Sequence, residues 1–385
     1  MTRAKRRTRA PGQALPQPRA RTGAERDSSP TPAERHVERI VLAHGGGGEL
    51  TNRLVAERIV SRLGRPAGPL TDGVLLRALS ATWADAKGNG GAAGRQPLVF
   101  TTDSYVVTPI EFPGGDIGRL AVAGTVNDLA AMGARPLAIS LGLILEEGLT
   151  VDSLDRIVAS IAATSEQAGA PVVTGDTKVI ERRGDPPGMF INTAGIGVLH
   201  PRSQLGLDRV EAGDVILING GLAEHGLAVL SRRAGIGFET TLRSDVMPLW
   251  GMTRRLLECG ASVHFMRDAT RGGLAGVLAD ICDATGLSIE IDERRLPVSP
   301  AARGAAEMLG LDPLAVANEG KLVCVVAAAG ATRALAALRA GPEGTHAAMI
   351  GRVHRAAPPL VELVTLGGGR RIVQRPYGED LPRIC

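Results

Sequence analysis

Four aspartates stand where a carboxylate is costly to place. Asp128 lies within "VAGTVNDLAAMG", a helix-like run of mainly Ala, Val, Leu and Gly, so its charge needs a partner, a cap or a cation to offset burial. Asp103 interrupts the strand-like run "VFTTDSYVV". Asp176 follows "PVVTG", where a strand is expected to end, and Asp268 precedes "ATRGGLAGVLADI", a helix entered through two glycines. Each alone reads first as a turn or N-cap aspartate. The four together are the kind of oxygen-ligand set that binds Mg²⁺, and Mg²⁺ shares its ligands with substrate phosphates, which points to ATP.

Two glycine loops suit that chemistry. "HGGGG" (His44, Gly45, Gly46, Gly47, Gly48) and "TRGGL" (with Thr270, Gly272 and Gly273) both lead into helix-like segments, whose exposed N–H groups attract anions. His44 is open to two readings, a phosphate contact or a loop residue with local hydrogen bonds. No G-x-x-x-x-G-K-[ST] occurs, and no G-x-G-x-x-G stands between a strand and a helix, so any ATP use belongs to another fold. In "GDTKV" the period of a strand puts Asp176 and Lys178 on one face, as an ion pair or as a cation placed beside phosphates. Glu319, in "ANEGKLV", precedes an apolar strand and is either a base or a solvated turn residue. His225, in "AEHGLAVL", reads as a helix-start residue.

The chain ends "GEDLPRIC", with a thiol and a carboxylate on one residue, Cys385. Cys282 and Cys324 lie in apolar runs and Cys259 closes a helical pattern. Cys385 alone has a polar, reachable setting. No C-x-x-C pair or Cys/His spacing for zinc exists. A thiol with a pKa near about 8.5 is only a few per cent thiolate at neutral pH, and an adjacent α-carboxylate disfavours ionisation further, partly offset by Arg383.

The elements that must position these groups alternate. "LVFTTDSYVV" reads as a strand, "DIGRLAVAGTVNDLAAMG" as a helix, "PLAISLGLILEE" as a strand and "VDSLDRIVASIAATSEQAG" as a helix, with "PVVTGDTKV" and "MFINTAGIGVL" as strands. "TNRLVAERIVSRL" has helical periodicity and "GNGGAAGRQ" reads as a loop. A polar stretch, "HPRSQLGLDRVEAGD", separates this α/β unit from a second unit of helices and strands. The expected organisation is a basic extension (1–39), an N-terminal unit (40–205), a C-terminal unit (206–356) and a tail (357–385) that carries the cysteine and ends in Gly- and Pro-marked turns. The 385 residues exceed one usual core, and 50 glycines against 2% aromatics suggest tight turns around Val, Ile, Leu and Ala.

The net charge of +4 is concentrated in the extension, whose ten basic and four acidic residues leave about −2 on the rest. That removes the electrostatic case for a nucleic-acid-binding body. No apolar run approaches a membrane span, and Arg6–Arg7 is followed by no apolar export segment, so a cytoplasmic protein is expected.

Taken in order, "LAHGGGGEL", "FTTDSYVVTPIEFPGGDIGRLAVAGTVNDLAAMGA", "VTGDTKVI", "FINTAGIG", "RDATRGGL", "ANEGKLV" and the terminal "PRIC" resemble the HypE family of hydrogenase maturation proteins, in the superfamily of aminoimidazole ribonucleotide synthetase and selenophosphate synthetase. The resemblance runs from about residue 40 to the end, and "PRIC" is its most specific part. It implies an N-terminal α/β domain that forms a homodimer through its sheet, and a C-terminal α+β domain. It also implies an ATP-dependent enzyme. A carbamoyltransferase, HypF, loads a carbamoyl group onto the terminal thiol, which is dehydrated to a thiocyanate, and the cyano group passes to iron on a HypC–HypD scaffold for the NiFe-hydrogenase.

By resemblance, Asp103, Asp128, Asp176 and Asp268 serve Mg²⁺–ATP with Asn127 and the 45–48 glycines. Lys178, Glu319 and Cys385 carry the chemistry, the roles of the first two being left open. Two departures are visible, the basic extension and Glu224 where aspartate is expected. The competing readings are another ATP-dependent enzyme of the superfamily, such as a selenophosphate synthetase or a small-molecule kinase, and a non-catalytic scaffold that presents Cys385. Selenophosphate synthetases carry their reactive residue near the N-terminal glycine loop, where this chain has no cysteine.

Overall fold

The computed structural model describes residues 48–54, 56–57, 74–75, 97–233, 241–378 and 384. The extension 1–39, His44, Gly45, Gly46, Gly47, most of the helix expected over 51–63, the loop 88–96 and Cys385 lie outside the described residues; the start of that helix is α1 (Glu49–Leu54).

The first sheet is built from β1 (Val74–Leu75), β2 (Leu98–Tyr105), β5 (Ala134–Glu146), β6 (Val172–Ile180) and β7 (Met189–Leu199), in the order β1-β2-β7-β5-β6. A short hairpin, β3 (Glu111–Phe112) with β4 (Gly115–Asp116), stands apart from it. β5 and β6 run parallel, as the helix between them, α3 (Val151–Ala168), requires; the other pairs are antiparallel. Thr150 caps the start of α3, accepting from Ser153 N–H at 3.2 Å, and Gly169 in the left-handed region ends it. Its buried Ile157, Ile161, Thr164, Ser165 and Ala168 form one stripe, the signature of a helix covered on one side.

The helix α2 (Ile117–Ala131) is apolar all round because it lies between this sheet, α3 and the C-terminal half of the chain. Asp116 caps it, accepting from Gly118 N–H at 2.8 Å and Arg119 N–H at 2.9 Å. Small residues let the sheet approach. A Cβ on Gly124 would stand 2.3 Å from the Tyr105 Oη, itself buried. Gly124→Ala is therefore expected to destabilise the protein by about 1–3 kcal/mol through overpacking, and Tyr105→Phe in the same chain to restore part of that loss. Thermal unfolding of the two variants checks both.

The opposite face of the sheet is open. Phe100, Thr102 and Ser104 of β2, Asn192 and Ala194 of β7, Ile144 of β5, and Asp176 and Lys178 of β6 point there, with Phe100 and Ile144 38% and 39% exposed.

The second sheet has the order β14-β13-β10-β12-β8-β11-β9 and is mixed, β10 and β13 being its parallel pair among the described residues. Its strands are β8 (Val215–Ile218), β9 (Val263–Asp268), β10 (Ser288–Asp292), β11 (Leu322–Val326), β12 (Ala348–His354), β13 (Val361–Val364) and β14 (Arg370–Ile372). The last two lie within the segment 357–385 and pair into this sheet. α6 (Gly273–Thr285) packs in the core on one face; α5 (Trp250–Glu258) and α8 (Ala331–Arg339) pack on the other. α4 (Glu224–Arg233) and α7 (Pro300–Leu309) join the core of the first half.

Strand β11, "LVCVV", is buried at every position, as its unbroken apolar run implies. Cys324 within it is fully enclosed, and burial pushes its thiol up to about 12. Cys282 is also buried, in line with the inert core roles expected of Cys282 and Cys324; Cys259 caps the end of α5, as its place at the close of a helical pattern implies, and all three thiols are free. No helix among the described residues is long and apolar enough to cross a membrane.

Candidate active site

The sequence-selected acids divide into two groups. Asp128, on α2, accepts a hydrogen bond from the Thr101 hydroxyl of β2 at 2.7 Å. Asp103, two residues along β2 on the same face, accepts from Ser104 N–H at 2.7 Å and lies 3.5 Å from the Arg271 guanidinium. Asp268 ends β9, and its carboxylate accepts a hydrogen bond from the Thr270 hydroxyl. The charges of Asp103 and Asp268 act on each other and on Glu319, which places these groups around one region where the first sheet meets the second half of the chain.

Asp176 is the exception. It sits in the middle of β6, not at a strand end, because the edge strand continues through Gly175 on its pairing with β5. Its register partner is Gly142, so it points to the open face, away from α2. There Lys178 grips it, with Nζ 2.8 and 2.6 Å from its two oxygens. The Lys178 bond, the Thr177 N–H and the lysine charge hold the Asp176 carboxyl below its usual range. Among the described residues no group of three or more His, Cys, Asp or Glu side chains forms a ready metal cage. One or two carboxylates completed by phosphate oxygens and water remain a fitting Mg²⁺ arrangement, and Asp103 and Asp268 supply hard oxygen donors of that kind.

Glu319 is the most perturbed of the expected residues. It is 4% exposed, and its Oε1 has no hydrogen-bond partner among the described residues. Burial, then the negative charges of Asp268, Asp245 and Asp103, raise its pKa well above the ordinary value, against a smaller opposing pull from Arg271. A carboxyl held this way binds a proton more readily than an ordinary glutamate, so that its ionised form is a stronger base suited to proton transfer.

The loop holding Glu319 is fixed by Asp245, a residue the sequence reading missed. Asp245 Oδ1 accepts Glu319 N–H at 3.1 Å, and Oδ2 accepts Gly320 N–H at 3.1 Å and Lys321 Nζ at 2.8 Å. Burial alone would raise its pKa, but the Lys321 charge, the nearby His225 and these bonds outweigh it and hold Asp245 ionised. A cavity of about 690 Å³ lies beside the pair, lined by Glu224, Arg243 and Ser244 among others. A hint was available: the chain has only four lysines, and Lys321 stands two residues from Glu319.

Asn127, expected among the nucleotide-binding residues, is buried and engaged with the backbone. Its amide donates to Met247 O at 3.0 Å and Glu319 O at 3.1 Å, and its oxygen accepts Leu249 N–H at 2.8 Å. It ties α2 to both segments that frame the site. Of the glycine loops, Gly272 and Gly273 open α6 with φ of +75° and +58°, and α6 has no side-chain N-cap. A Cβ on Gly273 would stand 2.5 Å from Leu314 O. Gly48, at the end of the other loop, packs on the Pro376 carbonyl, which also accepts Glu49 N–H at 3.2 Å.

Comparison with known proteins fits this layout. Residues 88–199 match the N-terminal domain of the AIR synthase related proteins and residues 211–357 match the C-terminal domain. The chain is 45% identical to the carbamoyl dehydratase HypE of Rhodobacter capsulatus, over 90% of this chain and 98% of that one. It is similar to a crystal structure of HypE in complex with ATP, at TM-score 0.72 and 41% identity, over 90% of this chain and 99% of that one. It is also similar to HypE in a HypE–HypF complex, at TM-score 0.69 and 41% identity, over 78% and 100% of the two chains. The chain belongs to the HypE family of carbamoyl dehydratases, within the AIR synthase related proteins.

Proposed function

We propose that this protein uses ATP, with Mg²⁺, to dehydrate a carbamoyl group carried on the sulfur of its own Cys385. The balanced change is R–S–C(=O)–NH₂ plus ATP giving R–S–C≡N plus ADP and phosphate. An amide oxygen is a poor leaving group. Transfer of the γ-phosphoryl group to it, with loss of one N–H proton, makes it a good one, and loss of the second N–H proton as the C–O bond breaks forms the nitrile. A buried carboxylate is suited to take such a proton, and the observation that carries the reading is Glu319, enclosed, without a partner for Oε1 among the described residues, and facing the charges of Asp103 and Asp268.

Asp103 and Asp268, with Asp128 beside them, are the residues to hold Mg²⁺, which would neutralise and orient the triphosphate. The start of α6 has no side-chain N-cap, and its positive dipole end beside Thr270 and Gly272 suits the phosphates, while Gly273 N–H donates to Thr270 O at 3.1 Å and shapes the turn. Lys178 and Asp176 have a separate position. A homodimer formed through the open face of the first sheet would cover Phe100 and Ile144 and bring this pair to the junction of the two copies. The carrier segment begins after β14. HypF supplies the carbamoyl group, as the HypE–HypF complex of a relative supports, and a HypC–HypD scaffold receives the cyano group on iron in the cytoplasm.

The test is mass spectrometry of the C-terminal peptide after loading by the carbamoyltransferase with carbamoyl phosphate. ATP is withheld from and then supplied to this protein's own step. A carbamoyl adduct on Cys385 that becomes one water lighter only with ATP is the expected result. An adduct that never loses water would favour the presenting scaffold, and no adduct with an active partner would favour a small-molecule ATP enzyme.

A further inference from the structure

His225 has a contact that its place at a helix start does not require. The ring is fully buried and stands edge-on to Phe112, with centroids 5.4 Å apart and planes at 89°. Its Nδ1 lies 2.8 Å from Ser244 Oγ, and its Nε2 lies 2.5 Å from the carbonyl oxygen of Ile384. A carbonyl only accepts, so Nε2 carries the hydrogen. In the neutral ring the Ser244 hydroxyl then donates to Nδ1, while Ser244 Oγ accepts Val246 N–H at 3.2 Å. Burial lowers the affinity of the ring for a second proton, against weaker opposite effects of the Asp245 charge and the Ile384 carbonyl. Ile384 is 4% exposed and shares a buried apolar cluster with Phe112, Leu227, Val246 and Val316.

We propose that His225 is a positioning residue that anchors the carboxy-terminal peptide, holding the Ile384 carbonyl while the Ile384 side chain fills an apolar slot. Cys385 follows one peptide bond later, so the anchor governs how far the thiol travels. Two independent features select the occupant, a donor fixed by Ser244 and an enclosed apolar site. The end of the chain supplies both an acceptor and a branched side chain at residue 384. The purpose of the anchor rests on the proposed function: loading by a partner requires the peptide to leave, and dehydration at this protein's own site requires it to return. Weakening the anchor is therefore expected to favour the first step and slow the second.

Alkylation of the intact protein by iodoacetamide tests the anchor without any turnover. The peptide released by cleavage after Glu379 reports Cys385, and Cys259 serves as the internal reference. His225→Phe, which keeps a flat ring but no donor, is expected to speed Cys385 alkylation roughly 3- to 10-fold, the range set by losing one buried hydrogen bond. His225→Gln, whose amide N–H can reach the same carbonyl, is expected to lie closer to wild type. Ile384→Asn, which puts a polar side chain in the apolar slot while leaving His225 and Ser244 in place, is expected to match His225→Phe and decides the matter where that variant does not fold.

The same variants, loaded with carbamoyl phosphate, are expected to gain adduct faster and lose water on ATP addition more slowly. Unchanged Cys385 alkylation in Ile384→Asn and in folded His225→Phe would overturn the anchor. Faster alkylation in a protein that never dehydrates its adduct would uphold the anchor and count against the proposed function instead.

Discussion

Glu319→Gln is expected to slow ATP-dependent loss of water from carbamoylated Cys385 by about 10²- to 10⁴-fold, the usual contribution of a positioned acid or base, while leaving carbamoyl loading intact. Gln keeps the shape of the protonated glutamate and removes only its ability to exchange a proton. The stability of the variant separates catalysis from structure. The folded protein holds the Glu319 proton more tightly than the unfolded chain does, so as pH rises past the ordinary glutamate range the unfolded state ionises first. Stability is then lost between that range and the raised value. Gln has no such proton, so the variant is expected to match or exceed wild-type stability at neutral pH even as activity collapses. The pH profile of single-turnover dehydration supplies the last check. The wild-type rate is expected to rise through the raised Glu319 pKa as the base form appears, and that limb should vanish in Glu319→Gln.

Much of the first half was legible because its elements follow the periodicities of local structure. The runs around Asp103 and Asp128 read as a strand and an all-apolar helix, and they fold as β2 and α2. Asp176 was placed at a strand end because Gly175 interrupts the apolar run, yet an edge strand needs backbone pairing more than side-chain burial, and β6 continues to Ile180. The electrostatics of Glu319 were hidden for a different reason. Its burial depends on Asp245, 74 residues away, and its field on Asp103 and Asp268, which no spacing in the chain relates. The bond from His225 to Ile384 spans 159 residues and uses a backbone carbonyl, which carries no residue-type signal. Asn127 illustrates the converse: its type and position were noticed, but its amide is consumed in joining α2 to residues 247, 249 and 319.

Lys321→Met is expected to produce the largest loss of stability, about 3–5 kcal/mol, because it leaves the buried Asp245 carboxylate without its countercharge. The pair is 2.8 Å apart with side chains only 5% and 1% exposed, so water cannot replace the ammonium group. Asp245 retains the N–H bonds of Glu319 and Gly320, and these keep it ionised too well for protonation to relieve the variant cheaply. Asp245→Asn added to Lys321→Met removes the stranded charge, and its single amide oxygen can still accept from the loop. The double variant is therefore expected to recover most of the lost melting temperature. Recovery of fold without recovery of dehydration would then mark what the ion pair contributes beyond stability. Asp245 sets the backbone of residues 319 and 320, so the pair that keeps this half of the protein folded also aims the Glu319 carboxyl. An equal melting temperature for wild type and Lys321→Met would show that the carboxylate is solvated in solution and that the loop carrying Glu319 is held by other contacts.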